Sequence, residues 1–258
     1  STRKESSAAS DVYKRQTYAQ RYFHGYYRED ADMMLGRLTV WDMKFQIKYG
    51  FYLLYSVLTV IYLIILLAMP ESWRTAAAAI LIFSDPAAMG LFFMGAIVLL
   101  EKSQKVPCAY AVTPVRAIDY IGAKVISLCT ISIAVAAILA VAVKAEDLPR
   151  TLLGTALSGA VFTLLGIIIA TKISSLNQFI LWTVPIEVVG FVPAILHMFG
   201  VTPAVLRYYP LNVCMDMIAG KKITATGLFV VVLLIAVLIV AAHKCVRRMW
   251  KSAGGIKL

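Results

Sequence analysis

Two carboxylates, Asp85 and Glu187, stand alone inside long apolar stretches, each with a proline close by in the segments IFSDPAAMG and ILWTVPIEVVG. In hydrocarbon an ionisable side chain costs about 2.5–3.5 kcal/mol on insertion scales, and a proline leaves a backbone carbonyl without its donor. Neither feature suits a surface that faces lipid. Two chemistries fit: a carboxylate lining a wet cavity, where it attracts a cation or exchanges a proton, or a purely structural role. The structural role would be a capping Asp at a helix kink and a Glu hydrogen-bonded inside a bundle. The pathway reading takes Asp85, Trp182, Pro185 and Glu187 as residues a transported molecule would meet. An aromatic, Met-rich cavity with one or two acids suits an amphipathic or cationic molecule, and lipid-linked substrates fit as well.

The other polar constellation is the segment EKSQKVPCAYAVTPVRAIDYIGAK, residues 101–124. Glu101 and Lys102 form an acid–base pair at the end of an apolar run. Thr113 suits a helix N-cap and Pro114 a first helical position, which predicts a short helix over 115–124. Arg116 and Asp119 would then be i, i+3 neighbours able to pair. The competing reading is an ordinary membrane-proximal turn with solvated charges.

Catalytic signatures are missing. No G-x-x-x-x-G-K-[ST] occurs, since Gly220-Lys221 lacks the earlier glycine, and neither H-E-x-x-H nor G-x-S-x-G is present. Cys108, Cys129, Cys214 and Cys245 are scattered, and the three histidines make no zinc or haem spacing with them. The expectation is inert thiols, no metal or cofactor held by this chain, and no enzyme activity of its own.

The elements that must position these groups are apolar helices. A bilayer core about 30 Å thick needs roughly 20 residues of helix per crossing. Six runs meet that length: 50–69, 75–100, 125–143, 151–170, 179–198 and 223–242. A hydrophobic share of 60% and a mean hydropathy of +0.79 agree with an all-α membrane protein. The net charge of +11 follows topology rather than nucleic acid binding. If the spans alternate from a cytoplasmic N-terminus, 19 of the 25 Lys and Arg residues fall inside, with anionic lipid headgroups as their partner. Both termini are then cytoplasmic, and 70–74, 144–150 and 199–222 lie outside.

Residues 1–34 read as a disordered polar segment without an apolar signal-peptide core. The opening STRKESSAASDVYKRQ resembles non-native peptide found at the ends of environmentally assembled sequences, so 1–16 are set aside. Residues 35–250 form one six-helix domain, and 251–258 a cytoplasmic tail. In LGRLTVWDMKFQIKYG, apolar and polar residues alternate as in a strand, but an interfacial helix with Leu38, Trp41, Phe45 and Tyr49 on one face is favoured. A lone strand against a membrane helix would have unpaired edges. Gly154, Ser158, Gly166 and Ala170 sit at spacings that let helices approach closely. The segment 199–222 reads as a re-entrant or interfacial hairpin, with Tyr208 and Tyr209 at the boundary.

The order of these parts resembles an ABC-2-type exporter permease: interfacial helix, six spans, Glu101-Lys102, Thr113-Pro114, Tyr120 and Lys124 after the second span, and a hairpin before the sixth. IFSDPAAMGLFFMGAIVLLEK and SSLNQFILWTVPIE, with Ser174, Asn177 and Phe179, are similar to small permeases associated with fluoroquinolone export. The resemblance implies a permease subunit in a prokaryotic cytoplasmic membrane that pairs with a second copy or a sister permease. It would dock on a separate ATPase subunit that carries the ATP and Mg, and move a drug-like small molecule outward. Residues 35–49 and 101–120 would be the coupling elements, with Glu101, Lys102, Thr113, Pro114, Arg116 and Asp119 as the coupling residues. The alternatives are a membrane scaffold or sensor, or a secondary transporter without an ATPase, although no inverted repeat relates spans one to three to spans four to six.

Overall fold

The computed structural model describes residues 34–85, 90–113, 115–202, 206 and 209–253, and among these every regular element is a helix. Expectations for 1–33, Pro114, Tyr208 and the end of the tail fall outside the described residues. The helices are α1 (34–48), α2 (Phe51–Ala68), α3 (Glu71–Ser84), α4 (Leu91–Ser103), α5 (Val106–Val112), α6 (Ala117–Ala142), α7 (Leu148–Lys172), α8 (Leu176–Met198), α9 (Pro210–Ile218) and α10 (Ala225–Ala253). Five of them, α2, α6, α7, α8 and α10, are long and apolar enough to cross a membrane. The chain is a multi-pass membrane protein.

The stretch expected as a second continuous span, 75–100, contains two shorter helices, α3 and α4. α3 ends at Ser84 and α4 begins at Leu91, and the flanking residues Asp85 and Gly90 both have the wider turn of a π-helix. A proline at 86 has no N–H to give to the carbonyl four residues earlier, which accords with the end of α3 at Ser84.

Basic side chains close helix ends on both sides of the bundle. Arg74, in the first turn of α3, donates to the last carbonyls of α2 at Leu66, Leu67 and Met69. Lys102, in the last turn of α4, donates to Ala170 O, Thr171 O and Ile173 O at the end of α7, at 2.6, 3.0 and 2.7 Å. Each cation satisfies carbonyls that a helix C-terminus leaves open and sits at its negative dipole end.

α7 runs through the centre and packs on α4, α6, α9 and α10. Its small residues do what their spacing predicted. A Cβ on Gly154 would come within 2.8 Å of Met217 Cβ and 3.0 Å of Cys214 O on α9. One on Gly166 would come within 2.9 Å of Met94 Cβ and 3.0 Å of Leu91 O on α4. Backbones this close gain dispersion contacts, which drive helix association where lipid removes the hydrophobic term.

α8 keeps its helix through Pro185 and Pro193. Pro193 cannot bond the carbonyl of Val189, and the Tyr209 hydroxyl donates to that oxygen instead at 2.8 Å. Ser175 caps α8, accepting from Gln178 N. Asp147 caps α7, accepting from Arg150 N, and pairs with the Arg150 side chain at 3.1 Å.

The helix expected over 115–124 is replaced by a different division. Thr113 is extended at the C-cap of α5, and its hydroxyl bonds back to Tyr110 O rather than forward. The cause is Pro114, which disfavours helical geometry at the residue before it. The next helix starts at Ala117 and continues unbroken through residue 142.

Candidate functional site

A buried charge cluster lies where α1, α4 and α6 meet. Lys124, only 1% exposed and in the second turn of α6, reaches Asp42 Oδ1 of α1 at 2.7 Å and Glu101 Oε1 of α4 at 2.5 Å. The Tyr120 hydroxyl donates to the other Glu101 oxygen at 2.6 Å, and the Lys124 ammonium also lies 5.0 Å from the Tyr120 ring centre. One turn along α1, Gln46 Nε2 donates to the Ser127 hydroxyl at 2.9 Å. Burial pushes the Asp42 carboxyl above the usual carboxylate range, with Lys124 opposing and Glu101 adding to the rise. One cation serves two largely buried acids, so the three helices are held in one register by charges that cannot separate cheaply.

α1 is a helix, as favoured, and the residues it buries lie outside the apolar face of Leu38, Trp41, Phe45 and Tyr49. Asp42 and Gln46 are its buried positions, whereas Trp41 is 62% exposed. Polar residues at i, i+4 turn inward because Lys124 and Ser127 wait there; Trp41 is left for the surroundings of the bundle. Sequence reasoning missed Asp42, Gln46, Lys124 and Tyr120 as a unit. The available signal was a lysine and an aspartate sitting among apolar neighbours on two separate predicted helices.

The candidate coupling residues divide into two groups. Glu101 and Asp119 are buried, and Lys102 is spent on the carbonyls of α7. Thr113 and Arg116 are exposed, Arg116 pairing with Asp119 at 2.7 Å. Both line a cavity of about 390 Å³ between the α5–α6 turn and the end of α10, shared with Tyr110, His243, Arg247, Trp250 and Lys251. Tyr110 and Trp250 are its aromatic wall, and Tyr120 packs against both, with ring centres 5.5–5.6 Å apart. Burial, with Glu101 nearby, pushes the Tyr110 phenol up to about 12, so it stays neutral. The mouth is basic and the wall aromatic, a chemistry that receives acidic groups.

The candidate pathway residues are not brought together. A second cavity, about 520 Å³, opens between the end of α7 and the start of α8. Leu165, Ile168, Ile169 and Ile186 make it apolar, Trp182 supplies an aromatic face, and Lys172 and Gln178 are its polar groups. Of the four pathway candidates only Trp182 lines it. Pro185 is exposed, and Glu187 is half-buried near the inward stripe of Thr183, Gly190 and Ala194. Asp85 lies elsewhere, against α2 and α6. Because Lys102 ties α4 to the end of α7, the 520 Å³ cavity sits at the same end of the bundle as the charge cluster.

The description "Fluoroquinolones export permease protein family" belongs to a family model that matches residues 34–250. Two fluoroquinolones export permease proteins, from two strains of Mycobacterium tuberculosis, are each 30% identical to this chain over 150 residues. The match covers 57% of this chain and 63% of each relative, so the chain spans a little under two thirds of their length.

Proposed function

The chain belongs to the fluoroquinolones export permease protein family, and from that premise we propose that it is the membrane subunit of an ATP-driven exporter of the ABC-2 type. The observation that carries this reading is the 520 Å³ cavity beside Trp182, open between two membrane helices at the end of the bundle that also holds the charge cluster. It is large enough for a drug-sized aromatic molecule and largely apolar. The molecule would enter beside α7 and α8 and leave on the opposite side. The partner ATPase would bind ATP and Mg; this chain would supply the path and no hydrolytic site.

In this reading α3 and α4 together make one crossing, giving six spans with both termini cytoplasmic. The stretch containing α9 is the outer hairpin. The basic excess supports this orientation. In a variant with its own four cysteines replaced, a cysteine placed at exposed Glu146 should be labelled from outside intact cells and one at exposed Gln104 should not. Labelling at Gln104 would reverse the topology.

The 390 Å³ basic cavity at Thr113 and Arg116 is the proposed docking place for the ATPase, and the Lys124 cluster would pass its motion from α1 and α5 into α4 and α6. A bistable permease of this kind is biased between inward- and outward-open forms by the nucleotide state of its partner. A second copy of the chain, or a sister permease, completes the path.

The test is drug-stimulated ATP hydrolysis by the chain reconstituted with its genomic-neighbour ATPase, using norfloxacin as probe. Removing an aromatic face costs about 0.5–1.5 kcal/mol, so Trp182→Ala should raise the half-stimulating concentration roughly three- to tenfold. Basal hydrolysis should not change. An unaltered norfloxacin response in that variant would remove the cavity from the pathway, and the absence of any stimulation in the wild-type complex would refute the exporter reading.

A further inference from the structure

Asp85 is 1% exposed, and neither of its carboxyl oxygens has a hydrogen-bond partner among the described residues. It directly follows α3 and has the wider turn of a π-helix. The groups around it are neutral. From α2, Tyr55 and Tyr62 are close enough to interact with it electrostatically, and the Tyr55 hydroxyl is likewise buried and unpartnered. From α6, Ser132 is the hydroxyl nearest in effect, and the Cys129 thiol donates to Ala156 O at 3.7 Å.

Among the described residues no cation balances the carboxyl. α2 contains no charged residue. The charges of α6, Asp119 and Lys124, are at its far end, Lys124 being held by Asp42 and Glu101. α7 carries only Arg150 and Lys172, one in each terminal turn. On α9, Asp216 is engaged by His197 at 2.9 Å, and the Cys214 thiol is neutral. On α3 itself, Arg74 is occupied by carbonyls of α2.

An unpaired ion in such a place costs many kcal/mol, and a carboxylate escapes that cost by taking a proton. A carboxylic acid needs only one acceptor for its O–H and can accept a donor on its other oxygen, and a hydroxyl such as that of Ser132 or Tyr55 can play either part. We propose that Asp85 is a proton-binding site within the membrane, loaded in the buried arrangement described here. The proton leaves when water reaches the Asp85 carboxyl, the O–H bond breaking, water taking the proton and the carboxylate being solvated in its place. Proton occupancy is thereby tied to the hydration of Asp85, adding proton binding to the exporter reading without depending on it.

The test is infrared difference spectroscopy of the full chain in lipid nanodiscs, read at the carbonyl stretch of protonated carboxyl groups as pH is stepped. No transport measurement enters it, so its outcome is separate from that of the exporter reading. At neutral pH the wild type should show a protonated-carboxyl band that is lost in Asp85→Asn and kept in Glu187→Gln. Ser132→Ala, which leaves the carboxyl in place, should shift that band, and this variant decides the matter if Asp85→Asn does not fold. Identical spectra for wild type and Asp85→Asn, or no effect of Ser132→Ala, would overturn the proposal. Disappearance of the band on adding sodium at constant pH would also overturn it, in favour of a metal cation site.

Discussion

Lys124→Met should lower the stability of the purified protein by about 3–5 kcal/mol, the usual consequence of stranding buried charge. Methionine fills similar volume, so the loss would come from Asp42 and Glu101, which would face each other without the ammonium they share. Tyr120 would still donate to Glu101, a single hydrogen bond against two uncompensated carboxylates. The electrostatic origin has its own signature. Adding Asp42→Asn and Glu101→Gln to Lys124→Met removes the stranded charges and should recover most of the loss, because a neutral polar pair of the same shape is far cheaper to bury. Thermal unfolding of the wild type, the single and the triple variant in detergent reads this directly. A Lys124→Met protein as stable as wild type, or a triple variant worse than the single, would mean that the cluster does not hold α1, α4 and α6 together.

Gly95→Ala should be nearly as damaging, for a steric reason. The added Cβ would fall 1.9 Å from Phe179 Cζ and 2.2 Å from its two Cε atoms. Phe179 is fully buried, with Phe92 set edge-on to it at 6.4 Å, so the ring has no free space to swing into. Overpacking of a tight core typically costs about 1–3 kcal/mol, and a contact this short belongs at the upper end. Phe179→Leu alone should also destabilise, by leaving space over Gly95. Combined, the two changes should offset each other, the smaller side chain making room for the methyl group. Strict additivity in thermal unfolding would show that α4 and α8 do not meet through this ring.

Both effects rest on contacts between segments far apart in the chain, and this separates what was legible in the residues from what was not. Hydropathy and length were sufficient for a helical membrane protein, because only helices satisfy every backbone group locally in lipid. Gly154 and Gly166 announced close helix approach by spacing alone, since a missing Cβ has the same meaning whichever helix comes to fill the space. The proline at 114 did signal a helix boundary, but its consequence was misread. The proline rule acts backward on Thr113, so α5 ends there and the following helix begins later than its capping residues suggested.

Pairing was not legible. Nothing in the spacing of Asp42, Glu101 and Lys124 says that one ammonium will serve two carboxylates, because charge partners are chosen by which helix faces meet. For the same reason Trp182 joined Lys172 in a cavity while Glu187 and Asp85 went elsewhere, although all three were singled out together. An apolar helix is apolar on most sides, so its sequence does not say which side turns inward; burial of the few polar groups decides that. The residues by themselves determined the solvent, the helices and the close-packed seam along α7. Only the tertiary arrangement decided which charges neutralise one another and that Asp85 has no cation among the described residues, since both depend on distances between helices that local chemistry does not set.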